Sequence, residues 1–278
     1  MLPAEAPAAA AVLERARGEN FPVTSLLFPA ALRPHLMAVY GFARLVDDLG
    51  DEASGDRLAL LDWLSGELDL VFGGGTPSHP LLRRLARSVR ALDLPRGPFD
   101  RLVAANRWDQ VVNRYASFEE LAEYCSMSAT PVGELVLRIC GAATPDRLAL
   151  SDAVCTGLQL VEFWQDLGED AARGRVYLPL EDLERFGYSV EDLLAGRTGQ
   201  PFLRLMRFEV QRTRALLERG RPLARSLPGR VGLAVRLFTA GGLAALADLE
   251  RRGFDTLRRN ASPSRPRRWW YALKELAR

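Results

Sequence analysis

Gln159, Glu162, Asp166, Asp170 and Arg173 recur three and four residues apart in the stretch LQLVEFWQDLGEDAARGRVYLP. At about 100° per residue on a helix they share one narrow stripe, with Leu160, Val161 and Phe163 to the sides for packing. Asp166 and Asp170 then stack roughly 6 Å apart, and like charges so placed repel unless a cation sits between them. Alone, a DxxxD pair reads as a solvated helix wall, although such walls usually interleave Lys or Arg at i+4.

A second cluster argues against that plain reading. In AVYGFARLVDDLGDE, Asp47, Asp48 and Asp51 close an apolar helix whose same face carries Tyr40 and Arg44. Two facing acidic stripes suit hard divalent cations with oxygen ligands. Mg²⁺ in particular keeps several waters and takes one or two carboxylates plus phosphate oxygens of a substrate. Diphosphate is the guest that such a site would suit.

The segments YGFARLVDDLGD, YCSMSATPVG (Tyr124 to Gly133) and LQLVEFWQDLGEDAARGRVYLP resemble the squalene/phytoene synthase family of trans-isoprenyl diphosphate enzymes, and the likeness runs from about Asn20 to about Arg259. Within the family, ENFPV (Glu19 to Val23), PHLMAVYGFAR and FWQD are most similar to the hydroxysqualene synthase branch, whose bacterial members convert presqualene diphosphate to hydroxysqualene in hopanoid biosynthesis. The resemblance implies an all-α, single-domain helical array (1–278) around a central apolar cavity. Its core would span about 20–260, with a basic, aromatic segment at 261–278. It further implies Mg²⁺ held, directly or through water, by Asp47, Asp48, Asp51, Asp166 and Asp170. Arg44, Arg173, Arg175, Tyr40 and Gln159 are candidates for holding the diphosphate, and Tyr177 and Asn20 match family positions near the same pocket. The substrate would be a polyprenyl diphosphate, either presqualene diphosphate or farnesyl diphosphate.

Two departures bear on the reaction. The common family motif has Asn where this chain has Glu162 and Arg where it has Gln165. Glu162 adds a carboxylate to the stripe, and Gln165 removes a positive charge beside Asp166, which suits one diphosphate better than two. The family also tends to carry a Tyr where this chain has Gly241 or Gly242. Capture of a rearranged cation by water needs a held water, and Glu162 is the candidate holder or base. A head-to-head prenyl transferase is the alternative within the family. A non-catalytic scaffold of the same fold is the alternative outside enzymology, although both acid clusters are whole.

Stepping to the elements that must position these residues, apolar spacing at i, i+3 and i+4 dominates and no period-two stretch persists. The spacing predicts helices near 4–17, 30–50, 55–73, 78–92, 97–114, 118–140, 146–171, 200–226 and 229–258, with a shorter one at 265–277. Ser126, Ser128, Ala129 and Gly133 put small residues in the middle of one of them, which is interrupted at Pro131, either for close packing or to leave room for a ligand; the break frees backbone carbonyls. The resemblance favours the second use, as a lining of the prenyl pocket. Arg173 and Arg175 lie in a loop after the second cluster, either as exposed residues or as phosphate contacts.

The 278 residues are 48% apolar, enough for a large core, and the net charge of +2 lacks the basic footprint of a nucleic-acid binder. No uninterrupted apolar run reaches about 18 residues, and the opening residues lack the order of a secretory signal, so a cytoplasmic protein is expected. Cys125, Cys140 and Cys155 are widely spaced in apolar runs and read as core thiols. His35 and His79 lack a metal-binding spacing. Five arginines with Trp269, Trp270 and Tyr271 near the C-terminus suit either a packed terminal helix or peripheral contact with the inner membrane face. A partner enzyme of the same pathway could hand over the substrate.

Overall fold

The computed structural model describes residues 2–3, 5–12, 27–254 and 256–257. Asn20, the ENFPV opening, part of the helix expected at 4–17 and all of 261–278, with its expected terminal helix, lie outside the described residues. Those described form helices and turns plus one isolated parallel bridge, Arg114 to Val176. The all-α expectation holds. Packing divides the chain into two units: one comprises residues up to Val111 with Ser126–Leu148 and Leu227–Ala234, the other Val112–Cys125, Ala149–Ser226 and the chain from Val235.

In the first unit, α1 (Arg33–Asp47) runs into a single π-helical turn (Asp48–Glu52), followed by α2 (Arg57–Phe72), α3 (Pro80–Leu92) and α4 (Gly97–Trp108). The Asp56 side chain caps α2 by accepting from the Ala59 N–H at 3.0 Å. His79 caps α3 through Nδ1, leaving its Nε2–H to donate to the Pro7 carbonyl at 3.0 Å. That is a structural use for one of the two histidines. Leu36, Val39, Phe42, Leu45 and Val46 bury one face of α1, with Phe42 edge-on to Phe99 of α4. The acidic turn that ends α1 therefore rests on a packed base.

α5 (Phe118–Ser128) is followed by α6 (Thr130–Ile139). The helix expected at 118–140 with an interruption at Pro131 is two helices, because Pro131 lacks an N–H and its ring is accommodated only in the first turn of a helix. The break falls at Ala129. In the second unit the 28-residue α7 (Pro145–Ala172) is the longest element described. α8 (Leu180–Phe186), α9 (Val190–Leu194), α10 (Gln200–Gly220), α11 (Pro222–Ser226) and α12 (Gly229–Arg251) complete the order. The short α8 and α9 were not expected from spacing; Ser189 and Asp192 form a reciprocal capping box that starts α9. Pro222 divides the helix expected at 200–226, and the one expected at 97–114 stops at Trp108, since the chain beyond turns to place Asn113 and Arg114 beside Val176.

Trp164 anchors the core of the second unit, fully buried, its Nε1–H donating to Thr213 Oγ1 at 2.8 Å. Close approach to α10 and α12 depends on missing side chains along α7. A Cβ on Gly157 would lie 2.7 Å from Leu217, and one on Gly242 would lie 2.7 Å from Leu158. Gly242 is thus a packing residue, whereas a Cβ on Gly241 would meet nothing within 4 Å. None of the three cysteines is in a disulfide. Burial pushes the Cys125 thiol up to about 12 and that of Cys140 up to about 11, as expected of core thiols. Among the described residues α12 alone is long and apolar enough to cross a membrane, and half of its apolar window is buried inside the protein.

Candidate active site

The first acid cluster is set by how α1 ends. Ala53 N–H reaches back five residues to the Asp48 carbonyl, so the turn carrying Asp48 and Asp51 is wider than an α-turn. Gly50 makes this possible: a Cβ there would lie 2.1 Å from Asn106 Oδ1 of α4. Gln110 donates through Nε2 to the Gly50 carbonyl and to the Asn106 carbonyl, 3.0 Å in each case. Asn106 and Gln110 therefore clamp the acidic turn, and spacing gave no sign of it because they lie about 60 residues away.

Within this cluster Asp48 is buried and paired with Arg44 Nε at 3.2 Å, and Arg44 Nη2 also reaches Glu52 at 3.4 Å. Arg44 thus neutralises the inner carboxylate. Asp47 and Asp51 are exposed. Surrounding protein nevertheless strips enough water from Asp47 to push its carboxyl up to about 7, while Asn106 and Arg44 hold it down and Asp51 and Asp48 raise it further. Tyr40 is half-buried on the same side of α1.

The second cluster lies on α7. Glu162 and Asp166 are exposed and Asp170 is half-buried, between the buried Phe163, Trp164, Leu167 and Ala171. The stripe seen in the sequence is a stripe in the structure. Partial burial, then Asp166, push the Asp170 carboxyl up to about 6 against the lowering charges of Arg175 and Arg173. The backbone N–H groups of Arg173 and Arg175 both donate to the Asp170 carbonyl at 2.9 Å, folding the loop back over the end of α7. Gln159 is half-buried one turn before Glu162.

That loop is tied down beyond the arginines. Val176 N–H donates to the Asn113 carbonyl at 2.8 Å, and Leu180 N–H to that of Tyr115 at 2.9 Å. Tyr177 is buried, stacked on Phe163 with centroids 3.8 Å apart and on Tyr115 at 5.8 Å; Tyr124 closes the group at 6.1 Å from Tyr177. Four aromatic rings thus adjoin the acidic stripe, of which only Tyr177 was a candidate site residue from the sequence.

The structure brings Arg44, Asp47, Asp48 and Asp51 together in the first unit and Asp166, Asp170, Arg173 and Arg175 in the second. Among the described residues no group of three or more His, Cys, Asp or Glu side chains is placed to hold a metal ion by itself.

The family model for squalene/phytoene synthase matches residues 14–267. The hydroxysqualene synthase of Rhodopseudomonas palustris is 39% identical over 229 residues, covering 81% of this chain and 77% of that protein. A phytoene synthase of Arthrospira platensis is 36% identical over 211 residues, covering 70% and 68%. The crystal structure of the squalene synthase HpnC of Alicyclobacillus acidocaldarius superposes with a TM-score of 0.84 at 42% identity, covering 88% of this chain and 94% of the other. A match of this extent makes the chain an enzyme of the squalene/phytoene synthase family.

Proposed function

We propose that the protein ionises presqualene diphosphate in the presence of Mg²⁺ and captures the rearranged cation with water, giving hydroxysqualene and diphosphate. The observation that carries this reading is Glu162: a third carboxylate, exposed, one turn before Asp166 on the same wall of α7. The 39% identity to a protein named hydroxysqualene synthase supports it.

The donors fit the metal by their chemistry. Beyond burial, the neighbouring carboxylates raise the carboxyls of both Asp47 and Asp170, a repulsion that a divalent ion would offset. All the candidates are hard oxygen donors, the kind preferred by an ion that completes its shell with water and substrate phosphate. Asp47 and Asp51 of the first unit and Asp166 and Asp170 of the second are the carboxylates that would hold it, Asp48 being paired with Arg44. Mg²⁺, when bound, supplies positive charge to the departing diphosphate oxygens.

The chain does the rest. Arg173 and Arg175, presented by the loop after α7, with Tyr40 and Gln159, would bind and orient the diphosphate as its C–O bond breaks. The aromatic group around Tyr177 would form part of an apolar wall that shelters the carbocation from premature attack by water. Glu162 would hold one water, whose oxygen bonds to the cation while its proton passes to the carboxylate. Glu162→Asn should then shift products from alcohol toward hydrocarbon; undiminished hydroxysqualene would remove Glu162 from this role.

The 36% identity to a phytoene synthase favours a second reading, head-to-head condensation of prenyl diphosphates. Incubating the purified protein with Mg²⁺ and either presqualene diphosphate or farnesyl diphosphate separates the two. Turnover of presqualene diphosphate to an alcohol is the expected result, and condensation of farnesyl diphosphate as the main activity would favour the second reading.

A further inference from the structure

A groove of ≈ 440 Å³ opens in the first unit between the start of α1 and the C-terminal half of α3. Pro34 and Met37 give it an apolar side; Arg84, Arg87, His35 and Ser88 give it a polar one. None of these residues belongs to the acid clusters or their supports. Arg84 and Arg87 are exposed, one turn apart, and neither forms an ion pair among the described residues. Ser88 is buried, with its Oγ 3.0 Å from His35 Nδ1 and a longer 3.5 Å contact to the Arg84 carbonyl. When the hydroxyl donates to Nδ1, the imidazole proton sits on Nε2.

We propose that this groove binds a phosphate group. Two guanidinium forks match phosphate oxygens in geometry and charge, and an anion would relieve the repulsion between like charges one turn apart. The volume falls in the range of small-ligand sites, and the apolar side gives room for a stem attached to the phosphate. Two sources carry that chemistry: free phosphate or diphosphate, and the headgroup of an anionic lipid. The inference goes beyond the proposed reaction and does not depend on it.

The test uses the full chain with EDTA present, so that metal-dependent binding elsewhere does not contribute. Inorganic phosphate and diphosphate are titrated calorimetrically, and co-sedimentation is measured with phosphatidylcholine vesicles with and without phosphatidylglycerol. Arg84→Gln/Arg87→Gln should weaken whichever binding is seen by more than about tenfold, equivalent to about 1.4 kcal/mol. Ser88→Ala should weaken it less. Arg204→Gln/Arg207→Gln removes the same charge, at the same spacing, from exposed positions of α10 outside the groove, and should leave binding within twofold. Calorimetric binding assigns the site to free phosphate; binding only to phosphatidylglycerol vesicles assigns it to lipid. Wild-type protein that binds neither probe, or equal losses in the two double variants, overturns the proposal.

Discussion

Replacing Gly50 by Ala isolates the contact that shapes the first acid cluster. The added methyl would lie 2.1 Å from Asn106 Oδ1 and 3.0 Å from its Cγ, so the Asn106 amide must swing away. That displacement withdraws Asn106 from Asp47 and from the Leu102 carbonyl it reaches at 3.3 Å. Overpacking of this kind costs roughly 1–3 kcal/mol. Gly50 lies in helical backbone, where Ala constrains the unfolded chain and returns roughly 0.4–1 kcal/mol. The net loss should be about 1–2 kcal/mol, or roughly 2–8 °C in Tm for a chain near this size. A double-mutant cycle followed by urea denaturation makes the reasoning specific. In an Asn106→Ala background the amide is gone and only the Cβ stays, 3.2 Å from the added methyl, so Gly50→Ala should cost no more than about 0.5 kcal/mol, leaving a coupling of at least about 0.5 kcal/mol. Equal cost of Gly50→Ala in both backgrounds would refute the idea that Asn106 is what requires glycine there.

Two further perturbations probe the second unit. Trp164→Phe keeps most of the buried ring but leaves Thr213 Oγ1, which already donates to the Glu209 carbonyl, without its indole donor; a loss of roughly 1–3 kcal/mol is expected in denaturant melts, and no change would contradict the contact. Burial pushes the Glu209 carboxyl up to about 8 against the charge of Arg212, and Asp182 adds to the rise. The native state therefore keeps a proton that the unfolded chain releases near 4.5, and unfolding sheds it in the window between. Stability should fall as pH rises from about 5 to 8, and Glu209→Gln should flatten that dependence. Parallel stability curves for the two proteins would exclude Glu209 as the source.

The acid stripes were legible because helical periodicity is local: Asp166 and Asp170 are one turn apart whatever surrounds them, and the apolar flanks of α7 fixed which wall stayed open. The supports were not legible. Asn106 and Gln110 act on Gly50 across about 60 residues, and Tyr115 and Tyr124 join Tyr177 only because a loop beyond α7 returns to pair with residues 113–116. The break in 118–140 was legible for the same reason as the stripes. Apolar spacing runs on through Pro131, but the missing N–H there starts a second helix. Gly241 or Gly242 read as a lost aromatic side chain, whereas in the structure Gly242 lets Leu158 and Leu217 close against α12.

The proposed chemistry ends with oxygen from water entering the product. Presqualene diphosphate incubated with the purified protein and Mg²⁺ in ¹⁸O-labelled water should give hydroxysqualene carrying the label in its hydroxyl group, with release of diphosphate. A hydrocarbon as the sole product, or an alcohol without label, would contradict the account.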